Sequence, residues 1–238
     1  MDEFVQLWVY LSSAPLFGLT STLVTYVVMQ AIYERLDHAP WANPVLWSVV
    51  ILASALAVTH TPYQTYFAGA QFVHVLLGPA VVALGWPLWQ RRGELKSRGV
   101  ALVRAATIGG AAAAGSAVAL GWALDLPGDV IRSLVPKSTT APVAMGIAER
   151  VGGIPALAAV FSVLTGLTGA LSGKYLFNLL GVEDWSIRGF ALGTAAHGIG
   201  AARALQVHPD AGAYAGIALG LQVIIASLLL PLAAGLVL

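Results

Sequence analysis

Eight apolar stretches set the terms for this chain, because most approach the ~20 residues an α-helix needs to cross a bilayer. They run over about 4–33, 44–60, 66–90, 100–124, 128–150, 154–180, 187–206 and 213–238 of the 238 residues. Hydrophobic residues make up 58% of the sequence, against roughly 45–50% in a soluble domain. No stretch alternates with period two, which argues against a β-barrel. The expected fold is all-α: a polytopic integral membrane protein of about 6–8 membrane helices, embedded in lipid, with residues 1–238 forming a single membrane domain. Pro15 and Gly18 divide the first stretch, leaving a span from Leu16 to Tyr33. The second begins after Asn43-Pro44, since proline suits the first helical turn.

Composition removes several function classes. Cysteine is absent, so disulfides, thiolate metal sites and cysteine nucleophiles are excluded. A net charge of +1 without a basic stripe argues against a nucleic-acid partner. His60, His74 and His208 show no metal-ligand spacing, and no catalytic constellation, phosphate loop or dinucleotide fingerprint occurs. The chain therefore reads as neither an enzyme nor a metal- or cofactor-binding protein. The acidic start Met1-Asp2-Glu3-Phe4 lacks the basic region of a cleaved secretory signal.

Charge sets orientation. Arg91, Arg92, Lys96, Arg98 and Arg104 cluster against a single acid, Glu94. The positive-inside rule places the loop 91–99 in the cytoplasm of a multi-pass protein of the cell's inner (plasma) membrane. The Glu34–Pro40 connection would share that side, and Asp125–Asp129 would face outward.

Three stretches are interrupted. Segment 128–150 carries Pro136 and Pro142, 187–206 carries Gly189, Gly193, Gly198 and Gly200, and 66–90 carries Gly78-Pro79 and Gly85-Trp86-Pro87. Both residue types weaken helices, and broken helices survive in lipid only where protein or a water-filled cavity satisfies the freed backbone. Broken or re-entrant segments are thus expected near 128–150 and 187–206. The alternative is that the glycines only permit close helix packing, the safer reading for 66–90 and for Gly109–Gly115.

In the first segment Val135 and Ala141 precede prolines and mark helix breaks. Between the breaks stand Lys137, Ser138, Thr139 and Thr140. A helix starting at Pro142 would aim its dipole and the amide donors of Val143 to Met145 at them. One cation, three hydroxyls and amide donors are what a small carboxylate needs. The competing reading is an interfacial loop whose lysine snorkels to lipid phosphate. In the second segment Thr194 and His197, three apart, would share a helix face. Arg203 would reach the same cavity only if Gly198 or Gly200 breaks the helix. Histidine as a residue type titrates near neutral pH, which makes His197 the candidate for proton coupling or for a donor to an anion, against the plainer role of a histidine bonded between helices.

The blocks Leu77–Leu84, Pro136–Met145, Gly152-Gly153-Ile154-Pro155-Ala156 and Arg188-Gly189 through Arg203, in that order, resemble the LrgB/CidB family over about residues 40–238. The resemblance implies two functions. One is a holin-like or antiholin-like protein that modulates murein hydrolase activity and autolysis through oligomerisation and membrane permeability. The other is a secondary transporter of small monocarboxylates of the pyruvate, glycolate and glycerate class, as in the plastidic translocator whose LrgB half this chain would match. Either role implies a small LrgA/CidA-like membrane partner, and a homo-oligomer is expected. For transport by alternating access, the residue chemistry nominates Lys137, Ser138, Thr139, Thr140, Thr194, His197 and Arg203 as substrate contacts, with H+ or Na+ as the coupling ion.

Overall fold

The computed structural model of the protein describes residues 15–76, 79, 85–90 and 92–237. The acidic start at Met1–Phe4, Arg91, and the Gly78 break with the rest of the Leu77–Leu84 block apart from Pro79 lie outside them. The chain divides into two compact units, residues 1–81 and 82–238.

In the first unit, α1 (Pro15–Arg35), a 3-10 turn (Pro40–Ala42), α2 (Pro44–Val58) and α3 (Tyr63–Val75) follow one another. Asn43 caps α2, its Oδ1 accepting from the amides of Val45 and Leu46 at 3.0 and 3.1 Å. Thr22 and Tyr66 share a hydroxyl hydrogen bond of 2.5 Å that joins α1 to α3.

The second unit contains α4 (Gly85–Gln90), α5 (Arg92–Ala123), α6 (Gly128–Leu134), α7 (Ala141–Val151), α8 (Pro155–Leu179), α9 (Trp185–Val207) and α10 (Pro209–Val237). Among the described residues four helices are long and apolar enough to cross a membrane: α1, α5, α8 and α10. Their exposed residues include Leu23 and Val27 on α1, Ile108 and Leu120 on α5, Leu164 on α8, and Leu228 and Leu232 on α10, a coat suited to lipid. The basic segment expected as a loop at 91–99 is instead helical from Arg92 onward. Arg, Lys, Glu and Leu are good helix formers, and Gly93 and Gly99 are too few to stop the run.

Both interrupted segments fold back on themselves. A straight helix of 23 residues would separate the ends of α9 by about 35 Å. Instead Trp185 and His208 stack with ring centroids 5.1 Å apart. The reversal falls at Ala196 and His197, whose backbone angles are non-helical. The outgoing arm packs parallel to α10, with Gly189 against Ala211 and Gly193 against Ala215, where any side chain would strike backbone. The return arm then brings Leu205 back beside Gly212. Arg188 ties the base of this hairpin to the C-terminal end of α8, donating to the Val182 carbonyl and to Asn178 Oδ1.

The 128–150 segment does the same from the opposite end of α8. Helix α6 turns back along α5, with Ile131 against Gly121. After the turn at 135–140, α7 descends until the Ile154 amide donates to Ser133 Oγ at 2.7 Å. Ser133 in turn donates to the Asp129 carbonyl at 2.6 Å. Gly152, at φ +76°, ends α7 in the left-handed conformation that glycine adopts without penalty. At 7 and 11 residues, α6 and α7 are about 10 and 16 Å long, too short to cross a ~30 Å hydrocarbon core. The unit thus holds two helical hairpins based at opposite ends of α8, their tips directed inward.

Candidate functional site

The tips meet at Ser162, which is fully buried about 10 Å into α8 from its N-terminal end. Its hydroxyl donates to the Thr139 carbonyl at 2.6 Å. His197 Nε2 lies 2.7 Å from the Ser162 carbonyl and 3.2 Å from its Oγ. A carbonyl only accepts, so His197 carries its proton on Nε2 and donates it to Ser162.

His197 sits at φ +40° and ψ −134°, a conformation that costs a non-glycine residue on the order of 1–3 kcal/mol. Packing holds it there. Gly166 leaves the notch in which the imidazole rests: a Cβ at that position would stand 2.8 Å from Cε1 and 2.9 Å from Nε2. One turn away, Gly169 makes room for Ala196.

At the first tip Pro136, Ser138 and Thr139 are buried and Lys137 and Thr140 half-buried. Thr139 Oγ1 donates to the Pro136 carbonyl at 2.8 Å, which closes the turn. The buried oxygens Ser138 Oγ and Thr140 Oγ1 have no hydrogen-bond partner. Among the described residues no carboxylate pairs with Lys137. Each tip joins the end of one short helix to the start of another, so amide-rich N-termini at Ala141 and at the return arm of α9 approach the same region.

Several expectations are corrected here. The α9 helix breaks at Ala196–His197, not at Gly198 or Gly200. Gly200 serves the fold-back instead, because a side chain there would press on the Leu192 carbonyl. Thr194 and His197 do not share a face, since the reversal lies between them. Thr194 faces α5 at Gly109 and spends its hydroxyl proton on the Phe190 carbonyl at 2.9 Å, whereas His197 faces α8. Arg203 is buried, engaged, and about 9 Å of helix down the return arm from the tip. Of the amides offered by Val143 to Met145, that of Ala144 already donates to the Thr140 carbonyl at 2.8 Å, because Thr140 is the N-cap.

Three cavities flank the tips. One of about 420 Å³ runs between α5 and α10 and touches Gly110, Val135 and Gln222. A second of about 350 Å³ is bounded by Leu134, Thr165, Thr168 and Ala196. The third, about 640 Å³, extends from Arg98 and Tyr214 to Thr194 and Ala195. Each therefore reaches a residue within a few positions of a tip.

Sequence reasoning missed Ser162 and Gln222. The only trace of Ser162 is the spacing Ser162-xxx-Gly166-xxx-Ala170, a small-residue stripe that marks a close helix contact. Gln222 is a buried amide inside the most apolar span, with Oε1 unpartnered. Such a residue was a signal in itself.

The model of the LrgB-like family matches residues 22–236. An uncharacterized protein of Bacillus subtilis, YxaC, is 30% identical over 211 residues, covering 89% of this chain and 91% of that protein. The holin-like protein CidB of Staphylococcus epidermidis is 29% identical, covering 88% and 91%. CidB of Staphylococcus aureus is 28% identical over 232 residues, 97% of each chain. No solved structure matches.

Proposed function

The chain belongs to the LrgB-like family of membrane proteins, and from that premise we propose that it is a secondary transporter of small monocarboxylates working by alternating access. The observation that carries this reading is the meeting of two opposed hairpin tips against Ser162 of α8, with a cation and unpartnered hydroxyl oxygens on one of them. Discontinuous helices that converge from opposite ends are how secondary transporters build a substrate site near mid-depth. Lys137 supplies the charge for the carboxylate, and Ser138 and Thr140 supply hydroxyl donors. Thr139 shapes the turn, and His197 fixes the opposing tip and carries the coupling proton, if H+ and not Na+ is the coupling ion. Thr194 lines the approach from the Arg98 side, and Arg203 braces the second hairpin. In this reading residues 1–238 act as one module of the cell's inner membrane, with the basic start of α5 facing the cytoplasm and a small LrgA/CidA-like protein as partner.

The test is uptake of labelled pyruvate, glycolate or glycerate into proteoliposomes, with and without that partner. Saturable uptake that Lys137→Gln abolishes supports transport. An unsaturable leak of many solutes, indifferent to Lys137→Gln, refutes it. That second outcome favours a holin-like role, the reading suggested by the names of the CidB relatives. An oligomeric permeability pathway has no need of a half-buried lysine beside unpartnered hydroxyls.

A further inference from the structure

Ser162 belongs to none of the motifs that mark the two tips, yet it touches both. The hydrogen-bond directions are fixed by chemistry. The Thr139 carbonyl can only accept, so the Ser162 proton goes there. The Ser162 carbonyl can only accept, so the His197 Nε2 proton goes there, with Ser162 Oγ as a second acceptor at 3.2 Å. The result is a directed chain from His197 through Ser162 to the backbone of the opposite tip. Donors arranged this way polarise one another, so loss of one link weakens the next.

We infer that Ser162 is a positioning residue that couples the two hairpins, so that displacing either tip loosens the other. Its purpose rests on the transporter reading, because two tips that open to opposite sides must not open together. The local structure supports the role. At the first tip the Thr139 hydroxyl is spent within its own turn, and those of Ser138 and Thr140 have no partner. The Thr139 carbonyl is therefore a principal polar hold on that tip from outside the turn. At the second tip the strained backbone of His197 is stabilised by the Gly166 notch and the bonds to Ser162. The hairpins are based at opposite ends of α8, so movement of either one is a slide past the same serine.

The absence of native cysteine allows a direct test in lipid nanodiscs. A single Ser138→Cys at the first tip is titrated with N-ethylmaleimide, and its modification rate reports how far that tip is released. Ser162→Ala is expected to raise the rate about tenfold, the weight of one buried hydrogen bond, and Ser162→Thr, which keeps the hydroxyl, to raise it less. The decisive variant is Gly166→Ala, whose added methyl displaces His197 at the second tip and has its nearest neighbours, His197 and Ile199, on that hairpin. It is expected to raise the Ser138→Cys rate several-fold alone and to add nothing in the Ser162→Ala background. An unchanged rate in Gly166→Ala, or effects that multiply independently, overturns the coupling. A purely structural serine would lower the melting temperature without producing that non-additivity. Should Ser162→Ala fail to fold, the same comparison is made in the Ser162→Thr background, where Gly166→Ala must still raise the rate. Labelling needs no substrate, so failure of uptake by the wild type would refute the transporter reading and leave this coupling to be judged by its own result.

Discussion

Replacing Trp185 and His208 together by cysteine tests the fold-back of α9, on which the site depends. A continuous helix of 23 residues would hold these positions about 35 Å apart, beyond the reach of any short bridge. The stacked rings, 5.1 Å between centroids and nearly coplanar at 5°, bring the two side chains into contact and the positions within range of a short bis-maleimide. A bond closing the loop of about 24 residues would remove roughly 3 kcal/mol of unfolded-chain entropy. Loss of the ring stacking returns about 0.5–1.5 kcal/mol, which leaves a net gain near 2 kcal/mol. The assay is cross-linking with a reducible bis-maleimide, then denaturation and trypsin cleavage at Arg188 and Arg203, followed by electrophoresis with and without reductant. Fragments held together until reduction, with a raised melting temperature, are the expected result. Absence of a cross-link with every bis-maleimide too short to span the ~35 Å of a straight helix would refute the hairpin and with it the meeting of tips at Ser162.

Three further outcomes follow from single contacts. Ser133→Ala removes the acceptor of the Ile154 amide at the base of the first hairpin and should cost about 1–3 kcal/mol, read as a lower unfolding midpoint in detergent. Gln222→Leu discards a buried oxygen that has no partner and should stabilise by about 1–3 kcal/mol, whereas a fall in melting temperature would mean that the amide is engaged. Asp184 caps α9, and bonds from the Ser186 hydroxyl, then from the Ser186 and Ile187 amides, hold its carboxyl below the usual range. Its contribution is therefore complete above the ordinary carboxylate pKa of about 4 and disappears as pH falls through the lowered folded value. Melting curves of wild type and Asp184→Asn should differ at neutral pH and converge in strong acid.

Much of the architecture was legible because lipid imposes a simple rule: apolar runs become helices, and polar interruptions need shelter. Pro136 and Pro142 announced the first tip by removing amide donors. The glycines around His197 announced trouble in the second segment but misplaced it. The break falls on the histidine, because Gly200 is required for the return arm to pass Leu192 and cannot also be the turn. The basic segment at 91–99 read as a loop by charge alone, yet charge does not stop a helix in which Arg, Lys, Glu and Leu outnumber two glycines.

By itself the sequence determined a helical membrane protein with two interrupted segments and a lysine among hydroxyls. Those features are local, set by burial cost and backbone donors within a few residues. Only the tertiary structure decided that both segments turn back, that they do so from opposite ends of α8, and that Ser162 joins their tips. A reversal depends on which surfaces the two arms find to pack against. For α9 those surfaces are Gly166 and Gly169 on α8 and Ala211 and Ala215 on α10, residues outside the segment whose direction they fix.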